Sequence, residues 1–526
     1  MAVTPSPTGG SDTPLLDALY ERAGEGRVSF HMPGHAGGRG FSSPLLGAAG
    51  RLDTTELLVT DDIHLPTGPA REAMERAATA FGAGRTYFLT TGSTCGLLAM
   101  VTVATAGGRT LLLPRTVHRS VLHAIALTGA EYRFLPLPDL HPDRLPYAPV
   151  SQPDPSDIRD ACARDPSIGA VLVTSPDYYG LCADLPAIAK MTRQAGVLLL
   201  VDEAHGAHLR FASDLCPPCA MDAGADLCVQ SAHKTLPALT QAALLHLSAD
   251  AIHRGSLDPE AVRDSITLYE TSSPSFLVAA SIDAARDWME KQGAERIHVL
   301  VDRVRKFGES LPPGVRAVPF VRQPGDGLRQ DPARLVLDVE GTGMSGPVWL
   351  RALSEQGIDI EMADLRRLVC IPALDTGPED FSRLRTALAG ILGQSAHPVA
   401  SGSAEQIVAV SERDLARAYA VAPVRAAHPR RFLVGGERGE WTPLEDAAGR
   451  VSTGALVPYP PGIPLIWPGE VPDADHIRLI LGLLASGLEV VGVRSGVKGY
   501  GRISPGGCEI RTIPTGSLSA GAVRHV

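Results

Sequence analysis

Val197-Leu-Leu-Leu-Val-Asp-Glu-Ala-His-Gly-Ala-His208 is the stretch on which the fold turns. Its first five residues, Val197–Val201, are all apolar, with no alternating polar face and too little length for an ordinary helix. They read as a strand buried on both sides. The run then breaks into acids, histidines and a glycine, the composition of a loop at a strand's end. Similar short apolar runs recur at Arg85–Leu89, Thr110–Leu113, Ala170–Thr174, Leu227–Val229 and Ala242–Leu247. Helical patterns lie between them, as at Pro186–Ala195, where the proline sits at the helix start and its missing N–H is no loss. Buried strands alternating with helices predict an α/β fold whose mostly parallel sheet is covered on both faces.

The chain has 526 residues, enough for two to four domains with a well-buried core. Apolar residues make up 44% and charged residues 20%, ordinary values for a globular protein. The net charge of −10 argues against nucleic acid as a partner, because phosphate binding usually shows as a basic surplus. Eight cysteines in this length do not make a disulfide framework. Cys216-Pro-Pro-Cys219 has redox-like spacing, but two intervening prolines and the lack of a second pair argue against zinc. The N-terminus carries neither a basic nor an apolar segment of a signal peptide, and no run reaches the roughly 18 apolar residues of a membrane span. The expectation is a cytoplasmic protein that binds neither membrane nor nucleic acid.

Composition shifts divide the chain into an N-terminal tail and arm over 1–45, a large domain over 46–300, a small α/β subdomain over 301–395 and a C-terminal domain over 405–526. The small, polar stretch Gln394–Gln406 is the candidate linker. The first dozen residues, rich in Pro, Ser, Thr and Gly, read as a mobile tail. The glycine run Gly492–Gly501 fits neither phosphate-loop nor dinucleotide spacing and reads as a surface segment.

Four segments follow predicted strands, and ligands of such folds bind beyond the carboxyl ends of strands. Gln230-Ser-Ala-His-Lys-Thr-Leu236 places Lys234 there, with Ser231, His233 and Thr235 as donors beside it. An amine able to form an imine, flanked by donors for a phosphate, is what pyridoxal 5'-phosphate (PLP) requires. Asp202 ends the strand quoted above; a carboxylate there suits the cofactor's ring nitrogen, and Ala204 and Gly206 leave room for a flat ring. The crowd of His205, His208 and two acids also suggests a metal site, but a strand-end loop points them in several directions and no H-E-x-x-H helix is present. Thr90-Thr-Gly-Ser-Thr-Cys-Gly96 puts Gly92, Ser93 and Thr94 at a helix N-terminus, which is either an anion site or an ordinary cap. His118, after a further strand, offers an imidazole able to stack on a planar ring.

With these residues in view, the chain resembles the Orn/Lys/Arg decarboxylase family, in its shorter form without an N-terminal receiver-like domain. The resemblance runs nearly the whole length. It rests on Phe30-His-Met-Pro-Gly-His-Ala-Gly-Gly38, Asp61-Asp-Ile-His-Leu-Pro-Thr-Gly68, the Gly92-Ser-Thr94 turn and His118. Ser175-Pro-Asp-Tyr-Tyr-Gly180, Asp202–His208, Ser231–Lys234 with Leu236–Gln241, and Thr271-Ser-Ser-Pro-Ser275 also carry it, as do Pro458-Tyr-Pro-Pro-Gly-Ile-Pro464 and Pro468-Gly-Glu470. The chain departs from the family pattern at Ala36, where lysine is usual, and at Leu97, where asparagine often stands.

The resemblance implies an aspartate aminotransferase-like (fold-type I) PLP domain, a smaller α+β domain and a C-terminal α+β decarboxylase domain. It implies Lys234 as the Schiff-base lysine, Asp202 as the ring-nitrogen partner and His118 as the stacked imidazole, these three being catalytic. Ala204 would pack on the ring's other face, and Ser93, Thr94, Ser231 and His233 would hold the phosphate. Gly92 and His205 complete the cofactor-contacting set, and Thr271 and Ser272 would join it from a neighbouring subunit of a homodimer or larger homo-oligomer. Glu470 would meet the substrate's distal amine. The activity implied is α-decarboxylation of arginine, lysine or ornithine, with arginine preferred because the form is short, and no metal. An aminotransferase, or another lyase or oxidative enzyme on a basic amino acid, would use the same cofactor groups. A non-enzymatic relative would be expected to lack Lys234 or Asp202, and both are present.

Overall fold

Every apolar run read as a strand is a strand in the computed structural model of the chain. It describes residues 11–25, 31–136, 152–318, 329–395, 414, 422–459, 462–494 and 507–517. The first ten residues of the expected tail, Phe30, most of the candidate linker, Pro460 and Pro461 of the Pro-rich loop, and the glycine run beyond 494 lie outside the described residues. In chain order the principal strands are β1 Arg85–Leu89, β2 Thr110–Leu113, β3 Tyr132–Phe134, β4 Ile168–Thr174, β5 Leu198–Asp202, β6 Leu227–Gln230 and β7 Ala243–Leu247. The chain forms two compact units, one of residues 1–104 and 198–298, the other of residues 105–197 and 299–526.

In the first unit the strands run in the order β1-β7-β6-β5. β5 and β6 are parallel, with Asp202 opposite Val229. β7 is antiparallel to both β6 and β1. β1, β5 and β6 therefore share a direction, and their carboxyl ends lie along one edge. The sheet is mostly parallel, with β7 as the exception. The connection from β6 to β7 holds only the four-residue helix Ala232–Thr235, far short of the crossover that a parallel return requires. Residues Leu198–Val201 are at most 4% exposed, and each such leucine contributes roughly 1.5–3 kcal/mol by leaving water.

Helix Ser93–Ala104 covers this sheet. Cys95, Gly96, Leu97, Ala99, Met100, Val101 and Ala104 are all buried, so the helix is apolar on most of its surface. Gly96 permits the close approach. A Cβ there would lie 2.5 Å from Val229 Cγ2 and 2.9 Å from Leu89 Cδ1. Leu97 belongs to this buried face, and Ala36 takes a left-handed φ of 50°.

In the second unit β2 pairs in parallel with both β3 and β4. Helix Leu185–Ala195 follows, capped by Asp184 on the Ala187 N–H and closed by Gly196 in the left-handed conformation. A four-stranded antiparallel sheet contains Arg316–Ala317, Leu335–Asp338, Met362–Ala363 and Arg367–Cys370. Short two- and three-stranded antiparallel sheets and helix Ala474–Ala485 make up much of the C-terminal part. One apolar cluster joins Val336, Met362 and Val369 to Leu456, Ile466, Ile480 and Leu483.

Candidate active site

The shared edge of β1, β5 and β6 gathers the first unit's candidate residues. Asp202 is the last residue of β5, 2% exposed, and its Oδ1 accepts the Ala204 N–H at 3.2 Å. Burial pushes its carboxyl above the ordinary value, while the Lys234 ammonium and the Ala204 N–H pull the other way. Lys234 lies on the short helix that follows β6, half-buried, with Nζ 3.2 Å from His205 Nε2. Lys234, His205, Asp202 and Ala204 thus come together from two adjacent parallel strands.

The phosphate candidates assemble from β1 and β6. Ser231 Oγ donates to Ser93 Oγ at 2.8 Å, linking the loop after β6 to the helix that begins at Ser93. Gly92, with φ of 88°, makes the turn that an L-residue would resist. Thr94 is exposed beside it. The N-terminus of the helix adds the positive end of its dipole, with the Cys95 N–H already turned back to the Gly92 carbonyl at 3.1 Å. His233 directs Nδ1 to the Ala242 carbonyl at 2.9 Å, which leaves Nε2 as its outward nitrogen. The buried Thr235 Oγ1, adjacent to Lys234, has no hydrogen-bond partner among the described residues. An amine, a buried acid, hydroxyls at a helix N-terminus and an unsatisfied hydroxyl fit a phosphorylated pyridine aldehyde.

Thr271 and Ser272 are exposed; the Thr271 carbonyl faces His64 Nε2 at 2.9 Å, and its Oγ1 accepts the Ser273 N–H. His118 and Glu470 belong to the second unit. His118 caps helix Arg119–Thr128, its Nδ1 meeting the Ser120 hydroxyl at 2.7 Å and the Ser120 N–H at 3.3 Å. Both Glu470 oxygens are engaged: Oε1 with Arg115 Nη1 at 2.6 Å, Oε2 with Arg115 Nη2 at 3.0 Å and the Trp467 N–H at 2.8 Å. This pair is buried, with the Arg115 guanidinium 4.7 Å from the Phe134 ring centre.

Several residues at the site escaped sequence reasoning. Glu203, fully buried, accepts the Ala220 N–H at 2.8 Å and the Gln230 amide at 2.7 Å, and burial pushes its carboxyl up to about 8. Gln230 in turn faces His246, which faces Thr86. A histidine inside the apolar run Ala243-Leu-Leu-His-Leu247 was the available signal. The lysine inventory was another. The chain has lysines only at 190, 234, 291, 306 and 498; Lys190 is exposed, and Lys291 and Lys306 are paired with acids on the surface. Among the described residues no cluster of His, Cys, Asp and Glu suits a metal, and Cys216 and Cys219 are buried and not joined in a disulfide. No helix among these residues is long and apolar enough to cross a membrane.

Comparison with known proteins agrees with this geometry. Residues 13–323 match the family described as "Orn/Lys/Arg decarboxylase, major domain", and residues 414–505 match "Orn/Lys/Arg decarboxylase, C-terminal domain". An arginine decarboxylase of Bacillus anthracis is 30% identical over 496 residues, 91% of this chain and 95% of its own length. Lysine decarboxylase LdcA of Pseudomonas aeruginosa is 25% identical over 87% of this chain and 73% of its own. The solved structure of lysine decarboxylase A from Pseudomonas aeruginosa superposes with a TM-score of 0.79 at 23% identity, covering 95% of this chain and 80% of that one. The chain belongs to the Orn/Lys/Arg decarboxylase family: it is a PLP-dependent carboxy-lyase with a fold-type I domain, acting on a basic amino acid.

Proposed function

We propose that the substrate is arginine, decarboxylated at Cα by a cytoplasmic homodimer or larger homo-oligomer, with Lys234 as the cofactor-bearing lysine and Asp202 as the ring-nitrogen partner. The observation that carries the assignment is the placing of Asp202 at the end of β5 and Lys234 just past the end of β6, its adjacent parallel partner. The arginine preference is supported by the relative of that name, which is more similar than the lysine decarboxylase and matches the chain over a larger share of both lengths.

Bound PLP supplies an electron sink for the pair left on Cα as CO2 departs. The chain's own groups do the rest. Asp202, buried and acidic, holds a proton at the ring nitrogen. With PLP in place, Lys234 Nζ would be the atom that holds the cofactor's aldehyde carbon, and His205 Nε2, which lies 3.2 Å from that amine, would accept a hydrogen bond from it whenever it carries no cofactor. Gly92, Ser93, Thr94, Ser231 and His233 anchor the phosphate, and Ala204 leaves a flat surface beside Asp202. Loss of water around the substrate carboxylate raises its energy relative to the less charged transition state. The roles of His118, Glu470, Thr271 and Ser272 rest on the family pattern alone.

The test is a panel of arginine, lysine and ornithine, with CO2, amine and keto acid measured together. The expected result is CO2 and amine in equal amounts, fastest from arginine. Keto acid as the main product would overturn the reaction, and a faster turnover of lysine or ornithine would overturn the substrate. In parallel, Lys234→Ala should lose the visible absorbance of the bound cofactor.

A further inference from the structure

We infer that a buried hydrogen-bonded chain, Thr86–His246–Gln230–Glu203, fixes the spacing between Asp202 and Lys234, so that Glu203, Gln230 and His246 are positioning residues for the cofactor. The inference rests on the assignment of Asp202 and Lys234 given above.

All four residues are buried, none more than 2% exposed. Thr86 Oγ1 lies 2.8 Å from His246 Nδ1, His246 Nε2 lies 3.1 Å from Gln230 Oε1, and Gln230 Nε2 donates to Glu203 Oε2 at 2.7 Å. The chain starts on β1, crosses β7 and β6, and ends one residue beyond β5. Its last two members adjoin the cofactor groups: Glu203 follows Asp202, and Gln230 leads directly into Ser231–Lys234. Backbone pairing between β5 and β6 reaches its end here, at the Glu203 N–H to Val229 carbonyl bond of 3.0 Å. Beyond that point two side-chain contacts tie the loops, Gln230 to Glu203 and Lys234 to His205, and only the first is independent of the lysine that would hold the cofactor.

Stability alone does not call for such a chain. Apolar residues of similar size would serve a sheet interior as well, whereas a satisfied polar chain fixes one arrangement against its neighbours. The chain also has a consistent polarity. With Glu203 accepting from Gln230 and from the Ala220 N–H, the Gln230 amide must present its oxygen to His246, whose other nitrogen then accepts from Thr86. Replacing Gln230 by an apolar side chain breaks both links at once. Exchanging the two end groups, Glu203→Gln with Gln230→Glu, keeps a donor facing an acceptor along the chain and at the Ala220 N–H; the Cys228 thiol, which donates weakly to Glu203 Oε2 at 3.4 Å, would turn to accept.

The experiment titrates PLP into the stripped protein and follows visible absorbance at several pH values, with thermal melting of the same samples. Wild type and Lys234→Ala come first; failure of the wild type to gain absorbance through Lys234 would sink the underlying assignment rather than this one. Given that gain, Gln230→Met, which breaks both links, should bind PLP at least about tenfold more weakly, tenfold being the size of a single buried polar contact. It should also move the pH midpoint of the absorbance, because Asp202 is displaced. The exchanged double variant should match wild type in both. A Gln230→Met protein that only melts earlier, with affinity and midpoint unchanged, overturns the inference. So does an exchanged variant that fails to fold or that binds as weakly as Gln230→Met. Should Gln230→Met not fold, Thr86→Val, which removes only the far donor, must show the midpoint shift in smaller size; an unshifted midpoint overturns the inference.

Discussion

Arg115 and Glu470 are 2% and 1% exposed and meet through two parallel hydrogen bonds. Removing one partner strands the other charge in the interior, which typically costs about 3–5 kcal/mol. Arg115→Met should therefore lower the unfolding free energy by that amount, read from the urea midpoint; a change below about 1 kcal/mol would mean that water reaches the pair. Glu470 was singled out as a substrate contact through its Pro-Gly-Glu motif, whereas its pairing with Arg115 could not be read, because 355 residues separate the two. Glu203 supports a prediction about pH. In the fold its carboxyl is pushed up to about 8, first by burial, against an ordinary value of 4.5. Between those values the folded chain keeps a proton that the unfolded chain has released, so stability falls as pH rises through the window. Glu203→Gln should flatten the decline in urea midpoint from pH 5 to pH 8. It should not abolish it, since buried Asp177, raised to about 7, acts with the same sign. Equal slopes in the two proteins would contradict this.

Among the elements, helix Ser93–Ala104 links packing to the phosphate site. Gly96 lets it approach β1 and β6, and the same approach sets Ser93 beside Ser231. Gly96→Ala gains about 1 kcal/mol of helix propensity. It also drives a methyl group into Val229 and Leu89, and overpacking of this kind costs about 1–3 kcal/mol. The expected outcome is a lower urea midpoint together with weaker PLP binding; a stabilised variant would show that the helix can back away freely. The bounds of β1 and β2 were legible to the residue because both are apolar runs closed by turn residues. β3 was not seen: Tyr132-Arg-Phe134 is only three residues long and has an arginine at its centre. Nor was the direction of β7, since a strand buried at every residue reads the same forwards and backwards.

For the whole molecule, the sequence made plain the α/β character and the line of strand-end residues, because both follow from local patterns of apolar runs and loops. The partition into units of 1–104 with 198–298 and 105–197 with 299–526 was not legible, since it depends on contacts between distant segments. The second unit shows the consequence. Val336, Met362 and Val369 share one apolar cluster with Leu456, Ile466 and Ile480, so residues 301–395 lean on the C-terminal region for their burial. A chain ending at residue 395 would expose that face to water and should be insoluble or unfolded by circular dichroism; a soluble, cooperatively melting fragment would contradict this. The central claim is that one lysine of five, Lys234, carries the cofactor beside Asp202. Borohydride reduction of the PLP-loaded protein, followed by peptide mass mapping, reads this directly. The added cofactor mass is expected on the peptide containing Lys234 and nowhere else; its appearance on Lys190, Lys291, Lys306 or Lys498, or on none, would contradict the account.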